Sequence, residues 1–185
     1  MNEYKMIWIA VLSFMLCGMA IAEKTASAED APPPVRVGFS RGEPSAKDIV
    51  LQAIAEARVS IYMAAYQFTQ DDIVEALLGA QKRGVKVAVV LDKTQAQGAA
   101  QAELVRSGIG CAIDHRHKIM HHKFIVIDMT SVETGSFNYS ESADKANAEN
   151  AIYIRDSPDI AAKYKAQWED VNRQALPCEG GGTVT

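Results

Sequence analysis

The sequence predicts an α/β fold: one mixed, largely buried β-sheet flanked by helices on both faces, in a single domain. Three observations carry this expectation. Segments rich in β-branched and aromatic residues alternate with segments whose apolar residues recur at helical spacing. The run VKVAVVLD (85–92) is almost continuously apolar, as a strand covered on both faces must be. The chain has 185 residues, 48% hydrophobic and 23% charged, which suffices for one domain with a sizeable core.

Residues 1–22 read as a signal peptide. Residues 6–22 hold no charge, follow Lys5, and end in Ala20-Ile21-Ala22, an A-x-A cleavage site before Glu23. Ala26-Ser27-Ala28 is a second such site. The competing reading is an uncleaved membrane anchor, for which the run is short. Cys17 follows bulky Leu16 and does not fit a lipid-bearing cysteine. A periplasmic or secreted protein is therefore expected, with no stable membrane association after cleavage. Residues 23–34, EKTASAEDAPPP, form a small, polar, proline-rich linker. The folded domain is expected over 35–176, followed by a flexible tail, 177–185.

VRVGF (35–39) is the expected first strand. SAKDIVLQAIAEA (45–57) sets Ile49, Ala53, Ile54 and Ala57 at helical spacing. VSIYMAAYQF (59–68) reads as a strand, and DDIVEALLGAQKRG (71–84) as a helix that starts acidic and ends in Lys82, Arg83 and Gly84. After the strand 85–92 come a helix over 97–107, stopped by Gly108, and a short strand, IGCAID. KFIVID (123–128) and NAIYIR (150–155) are further strands. SPDIAAKYKAQWEDVNRQA (157–175) is the last helix, with Ser157 as N-cap and Pro158 at its first position. An alternation of strand and helix, then several strands and a helix, belongs to layered α/β architecture.

Net charge is −4, so no global positive field attracts a polyanion, and such affinity would have to be local. Signal cleavage would leave two cysteines, Cys111 and Cys178. An oxidising compartment favours a disulfide between them, with two separate thiols as the alternative.

All four histidines, His115, His117, His121 and His122, fall within eight residues. In a strand reading of MHHKFIVID (120–128), side chains alternate faces. His121, Lys123, Ile125 and Ile127 then share one face; His122, Phe124, Val126 and Asp128 share the other. An imidazole beside an ammonium suits an anionic substrate, the amine neutralising oxygens while the ring attacks or transfers a proton. His122, facing away, reads as an ordinary strand histidine. A metal site is disfavoured: there is no HExxH, Cys111 has no CxxC partner, and Lys123 would repel a cation beside His121. His115, Arg116, His117 and Lys118 form a basic loop that either contacts phosphates or is simply solvated, and Lys145 is a weaker candidate of that kind.

Farther on, Gly135-Ser136-Phe137-Asn138 places two hydrogen-bonding side chains, Ser136 and Asn138, on one face if extended. A helix is expected to begin near Ser140, and Glu149 precedes the strand NAIYIR.

The pattern H-x-K-x4-D-x6-G-S-x-N is formed by His121, Lys123, Asp128, Gly135, Ser136 and Asn138. It resembles the HKD signature of the phospholipase D superfamily at every defined position. The single copy, export signal and small size are similar to the compact bacterial endonucleases of that superfamily. The resemblance implies a phospholipase D-like fold and phosphodiester hydrolysis through a covalent phosphohistidine, without a metal or other cofactor. It makes His121 the nucleophile and Glu149 the acidic partner of its other ring N–H. Lys123 and Asn138 would hold phosphate oxygens, and Ser136 would support them. Asp128, on the opposite strand face, and Gly135 would be structural.

Members with two motif copies use a second histidine to protonate the leaving oxygen. With one copy here, that histidine is expected from a second chain, which makes the protein a homodimer. His115 or His117 is the competing donor within one chain. The expected activity is that of a non-specific endonuclease on DNA, with RNA as a second candidate. The rival readings are a phospholipase D-type lipid hydrolase or phosphatidyltransferase, and a non-catalytic phosphate-binding protein. The mature sequence offers no obvious amphipathic or aromatic membrane-binding stretch, which favours the soluble polyanion.

Overall fold

The structure is a computed structural model that describes residues 34–96 and 98–179. The expected signal peptide, nearly all of the linker, and the tail from 180 onward lie outside the described residues. The strands are β1 (Val35–Phe39), β2 (Ser60–Ala65), β3 (Lys86–Asp92), β4 (Gly110–Asp114), β5 (Lys123–Ile127), β6 (Ser131–Gly135), β7 (Asn150–Ile154) and β8 (Leu176–Pro177). The helices are α1 (Ala46–Glu56), α2 (Asp71–Lys82), α3 (Ala99–Arg106), α4 (Glu141–Lys145) and α5 (Pro158–Asn172). All the strands join one sheet in the order β1-β7-β6-β5-β2-β3-β4-β8. β2, β3 and β4 run parallel through the crossovers α2 and α3, while β5, β6, β7 and β1 pair antiparallel, so the sheet is mixed as expected.

Strand alternation divides the core in two. Ile61, Met63, Val89, Leu91, Ile125 and Ile127 face α1, α2 and α3, where they meet Ile49, Ile54, Ile73, Leu77 and Leu104. Ala64, Ala88, Val90, Phe124, Val126 and Val132 face α5, which answers with Ala161, Trp168 and Val171. Each large apolar side chain so buried contributes about 1.5–3 kcal/mol. Trp168 also donates its indole N–H to the Met63 carbonyl at 2.9 Å, which fixes α5 against the sheet.

The helix starts differ in chemistry. Ser45 closes a capping box on α1: its hydroxyl accepts from Asp48 N at 3.1 Å, and the Asp48 carboxylate accepts from Ser45 N at 2.9 Å. Ser157 occupies the expected N-cap position of α5 but makes no side-chain cap; its hydroxyl donates back to the Arg155 carbonyl at 3.1 Å.

Three sequence expectations need revision. The strand expected over 59–68 leaves the sheet after Ala65: Tyr66 turns to the sheet edge described below, and Phe68 enters the core beside Tyr139. β6 was not expected as a strand. Its hairpin with β5 turns through Asp128 (φ 50°) and Met129 (φ 60°), closed by Thr130 N on the Ile127 carbonyl at 3.0 Å. Asp128 suits such a turn, but with Met129 in place of the usual glycine the hairpin signal is incomplete. Finally, the start of the expected tail is built into the fold. Leu176 and Pro177 pair with Ile113 and Ala112, Cys178 N donates to the Cys111 carbonyl at 2.9 Å, and Cys178 is disulfide-bonded to Cys111.

Register brings one edge of the sheet together. Ala65 at the end of β2 lies opposite Lys123 at the start of β5, and Gly135 at the end of β6 opposite Ala151 near the start of β7. Phe39 at the end of β1 lies opposite Asn150, and Asp92 opposite Asp114 at the ends of β3 and β4. His121, Lys123, the GSFN segment and Glu149 therefore lie along one edge, whereas Asp128 sits at the far end of β5.

Candidate active site

Lys123 is the first residue of β5 and is 9% exposed, whereas His121, two residues earlier, is exposed at the sheet edge. Alternation sends both to the same side. The Lys123 ammonium donates to the His121 carbonyl at 2.9 Å and stands 3.3 Å from His121 Nδ1. Tyr66, just past β2, completes the wall. Its ring centroid lies 4.5 Å from that of His121 and 5.3 Å from the Lys123 ammonium. Its N–H donates to the His122 carbonyl at 3.1 Å. No local pattern marks Tyr66 in advance, since its place depends on the pairing of β2 with β5. His122 turns away as expected, its ring 5.5 Å from that of Phe124.

Burial lowers the Lys123 pKa from its ordinary value, and the Glu149 carboxylate opposes that shift. A desolvated cation at an open edge is well placed to meet an anion, because the anion restores the solvation that burial removed.

The GSFN segment forms the adjoining turn. A side chain at Gly135 would overlap the Asn150 carbonyl oxygen, so only glycine lets β6 pass β7 this closely. Past it, Ser136 N and Phe137 N both donate to the Asn150 carbonyl, at 3.0 and 3.2 Å, and Ser136 Oγ accepts from Asn150 N at 3.0 Å. Ser136 is thus committed to shaping the turn. Phe137 and Tyr139 enter the core, so Asn138 between them faces the site side. The Asn138 amide oxygen is buried with no hydrogen-bond partner.

The loop carrying the histidines is fixed by two fully buried carboxylates, Asp92 and Asp114. Asp92 accepts from Thr94 N at 2.8 Å and Met120 N at 2.6 Å. Asp114 accepts from His117 N at 3.1 Å and faces His117 Nδ1 at 3.0 Å. Lys93 donates to the His115 and His117 carbonyls at 3.2 and 2.7 Å. Asp128 likewise has a scaffold geometry: its carboxylate accepts from the N–H groups of Arg58, Val59 and Ser60 at 2.8, 2.7 and 2.8 Å, tying the end of β5 to the start of β2.

Not every expected partner meets. Glu149 shares the sheet edge, but its carboxylate accepts from Asn147 Nδ2 at 3.0 Å and makes no hydrogen bond with His121 among the described residues. It precedes β7, two strand positions from β5, roughly 10 Å at ordinary strand spacing. At that range it acts on Lys123 through its charge. The basic loop is also less free than its composition suggests. Arg116 is ion-paired with Asp170 of α5, and Lys145 with Glu141 of α4. Lys118 stays exposed. Among the described residues, no three His, Cys, Asp or Glu side chains gather as a metal site.

Comparison with known proteins places this geometry. Residues 50–171 match the family described as cardiolipin synthase, PLD-like domain. A phospholipase D of Rickettsia prowazekii is 43% identical over 121 residues, 64% of this chain and 58% of that protein. A mitochondrial cardiolipin hydrolase of Canis lupus familiaris is 29% identical over 166 residues, 86% of this chain and 65% of that protein. This chain thus spans less than two thirds of the length of either relative. Among solved structures, the phospholipase D family member Nuc from Salmonella typhimurium superposes with a TM-score of 0.75 at 40% identity, covering 80% of this chain and 99% of that one. NucT from Helicobacter pylori shares the fold, with a TM-score of 0.67 at 22% identity over 78% of this chain and 99% of that one.

Proposed function

The chain belongs to the phospholipase D-like family, and from that premise we propose that it is an exported phosphodiesterase that cuts DNA without a metal, with RNA as a further substrate. The observation that carries the reading is the pairing of His121 with Lys123 at an exposed sheet edge beside the GSFN turn. His121 attacks phosphorus through a ring nitrogen, the bond to the leaving oxygen breaks, and a phosphohistidine remains. Lys123 and Asn138 hold the non-bridging oxygens. The lowered pKa of Lys123 reflects a cation short of water, and Asn138 would meet the phosphate through its amide N–H groups. Water then displaces the histidine and releases the phosphate monoester.

Glu149 takes the imidazole N–H once the ring or the carboxylate swings across the edge. The proton for the leaving oxygen comes from His121 of a second copy, which makes the working unit a two-fold dimer with one shared site. The Cys111–Cys178 bond supports export, since such bonds persist in oxidising compartments.

Purified protein is expected to nick plasmid DNA in EDTA, and His121→Ala to abolish nicking. A requirement for Mg²⁺ would sink the mechanism. Sedimentation combined with mixed dimers checks the shared site, and a fully active monomer would end it. A lipid reading is favoured by the names of the relatives, phospholipase D and cardiolipin hydrolase. Headgroup release from phospholipid vesicles without DNA cleavage would decide for it.

A further inference from the structure

We propose that the cleft between the start of β5 and helix α5 seats the nucleobase next to the scissile phosphate, with His122 and Gln167 reading its edge. The cleft holds about 410 Å³, and His121 and Lys123 are part of its lining. From α5 it is lined by Lys163, Tyr164 and Gln167, which spacing of one turn puts on the same side of that helix. That size lies within the range of small-ligand clefts.

The lining has the two features a base requires. The first is an aromatic wall: the partly exposed Tyr164 ring stands edge to face at 5.0 Å on the buried Phe124, and the exposed His122 ring lies 5.5 Å from Phe124. Stacking on such rings is sequence-tolerant and contributes strongly to nucleic-acid binding. The second is a hydrogen-bonding pair. His122 Nε2 stands 3.3 Å from the Gln167 side-chain amide, joining β5 to α5 across the cleft. Burial, with the charges of His117, Lys123 and His121, lowers the His122 pKa, so the ring is neutral at neutral pH and offers one donor and one acceptor. The Gln167 amide offers both as well. Thr134, which also lines the cleft, has its hydroxyl proton committed to the Lys123 carbonyl at 3.0 Å and can only accept. Lys163 at the rim suits the next phosphate. The exposed His122–Gln167 pair offers donors and acceptors that a base edge can meet and an acyl chain cannot.

The inference rests on the nucleic-acid reading above and adds to it a site for the base. The test compares the unmodified protein with His122→Ala and Gln167→Ala on an oligodeoxynucleotide pool and on bis(4-nitrophenyl) phosphate, a diester without a base. For each variant the ratio of kcat/KM on DNA to that on the small diester is expected to fall about tenfold, mainly through KM, as loss of a hydrogen bond to the base predicts. Sequence bias beside the cut is expected to flatten. A ratio within about twofold of the parent, with unchanged bias, would overturn the inference while leaving the nuclease reading intact. So would a loss of dimer in the variants, which would assign the cleft to the subunit contact. No DNA cleavage by the parent protein would overturn both readings at once. Gln167 is exposed on α5, so its variant reports even if His122→Ala disturbs the edge.

Discussion

The Tyr139 hydroxyl donates to Glu133 Oε2 at 2.9 Å, with Tyr139 fully buried and Glu133 1% exposed. The two residues flank Gly135–Asn138 in sequence, so their side chains close the loop beneath the GSFN turn. Burial pushes the Glu133 carboxyl up from 4.5 to about 8, which leaves it protonated at neutral pH. A neutral acid hydrogen-bonded to a phenol braces the turn without burying a charge there.

This brace makes stability depend on pH in a definite direction. The native state keeps the Glu133 proton to about 8, whereas the unfolded chain releases it near 4.5. Its contribution is therefore fully present below the unfolded value and is lost as pH rises through this window. The total loss is on the order of a few kcal/mol. Denaturant unfolding at several pH values is expected to show this slope in the unmodified protein and a flatter one in Glu133→Gln. Equal slopes would remove Glu133 from the account.

Asp128 is expected to act on stability more than on chemistry. Asp128→Ala removes the acceptor of three backbone N–H groups at the Arg58–Ser60 corner, of which that of the buried Ser60 is least able to turn to water, at a cost of roughly 1–3 kcal/mol. The measurement is the denaturation midpoint, alongside kcat of the folded fraction. A large kcat loss with unchanged stability would move Asp128 from scaffold to reaction.

The Cys111–Cys178 bond closes a loop of sequence separation 67 and pins β8 to β4. In the chain-entropy account such a closure stabilises by about 4 kcal/mol. Reduction, or Cys178→Ser, is expected to lower the melting temperature clearly. An unchanged melt under reductant would show that β8 docks without its tether.

Much of this was legible in the sequence because it depends on period. Period-two alternation put His121 with Lys123 and turned His122 toward Phe124, and both placements hold in the structure. What depends on register or turn geometry was not legible. Tyr66 reaches His121 only because Ala65 lies opposite Lys123. β6 was hidden by a hairpin turned through Asp128 and Met129 at positive φ. The offset of Glu149 from His121 follows from the position of β7 beyond β6, which local pattern does not encode. The Asp92 and Asp114 cradle is equally tertiary, because each carboxylate serves N–H groups on a loop whose path only the folded sheet defines.

The same offset gives the last prediction. Lys123 is pushed below its ordinary value of 10.5 by burial, while the charge of Glu149 pulls it back up. If Lys123 meets the phosphate as a cation, anion binding must weaken as pH rises through this lowered value, earlier than for a solvated lysine. Inorganic phosphate binding followed by calorimetry isolates that step from histidine chemistry, because no bond is broken. Glu149→Gln removes the carboxylate that favours the charged form, so its loss of binding is expected at lower pH than in the parent protein. Lys123→Gln is expected to bind weakly at every pH and to lower kcat by about 10²–10³. An alkaline fall at the same pH in Glu149→Gln and the parent would mean that Glu149 does not act on Lys123, and its place at this edge would then need another explanation.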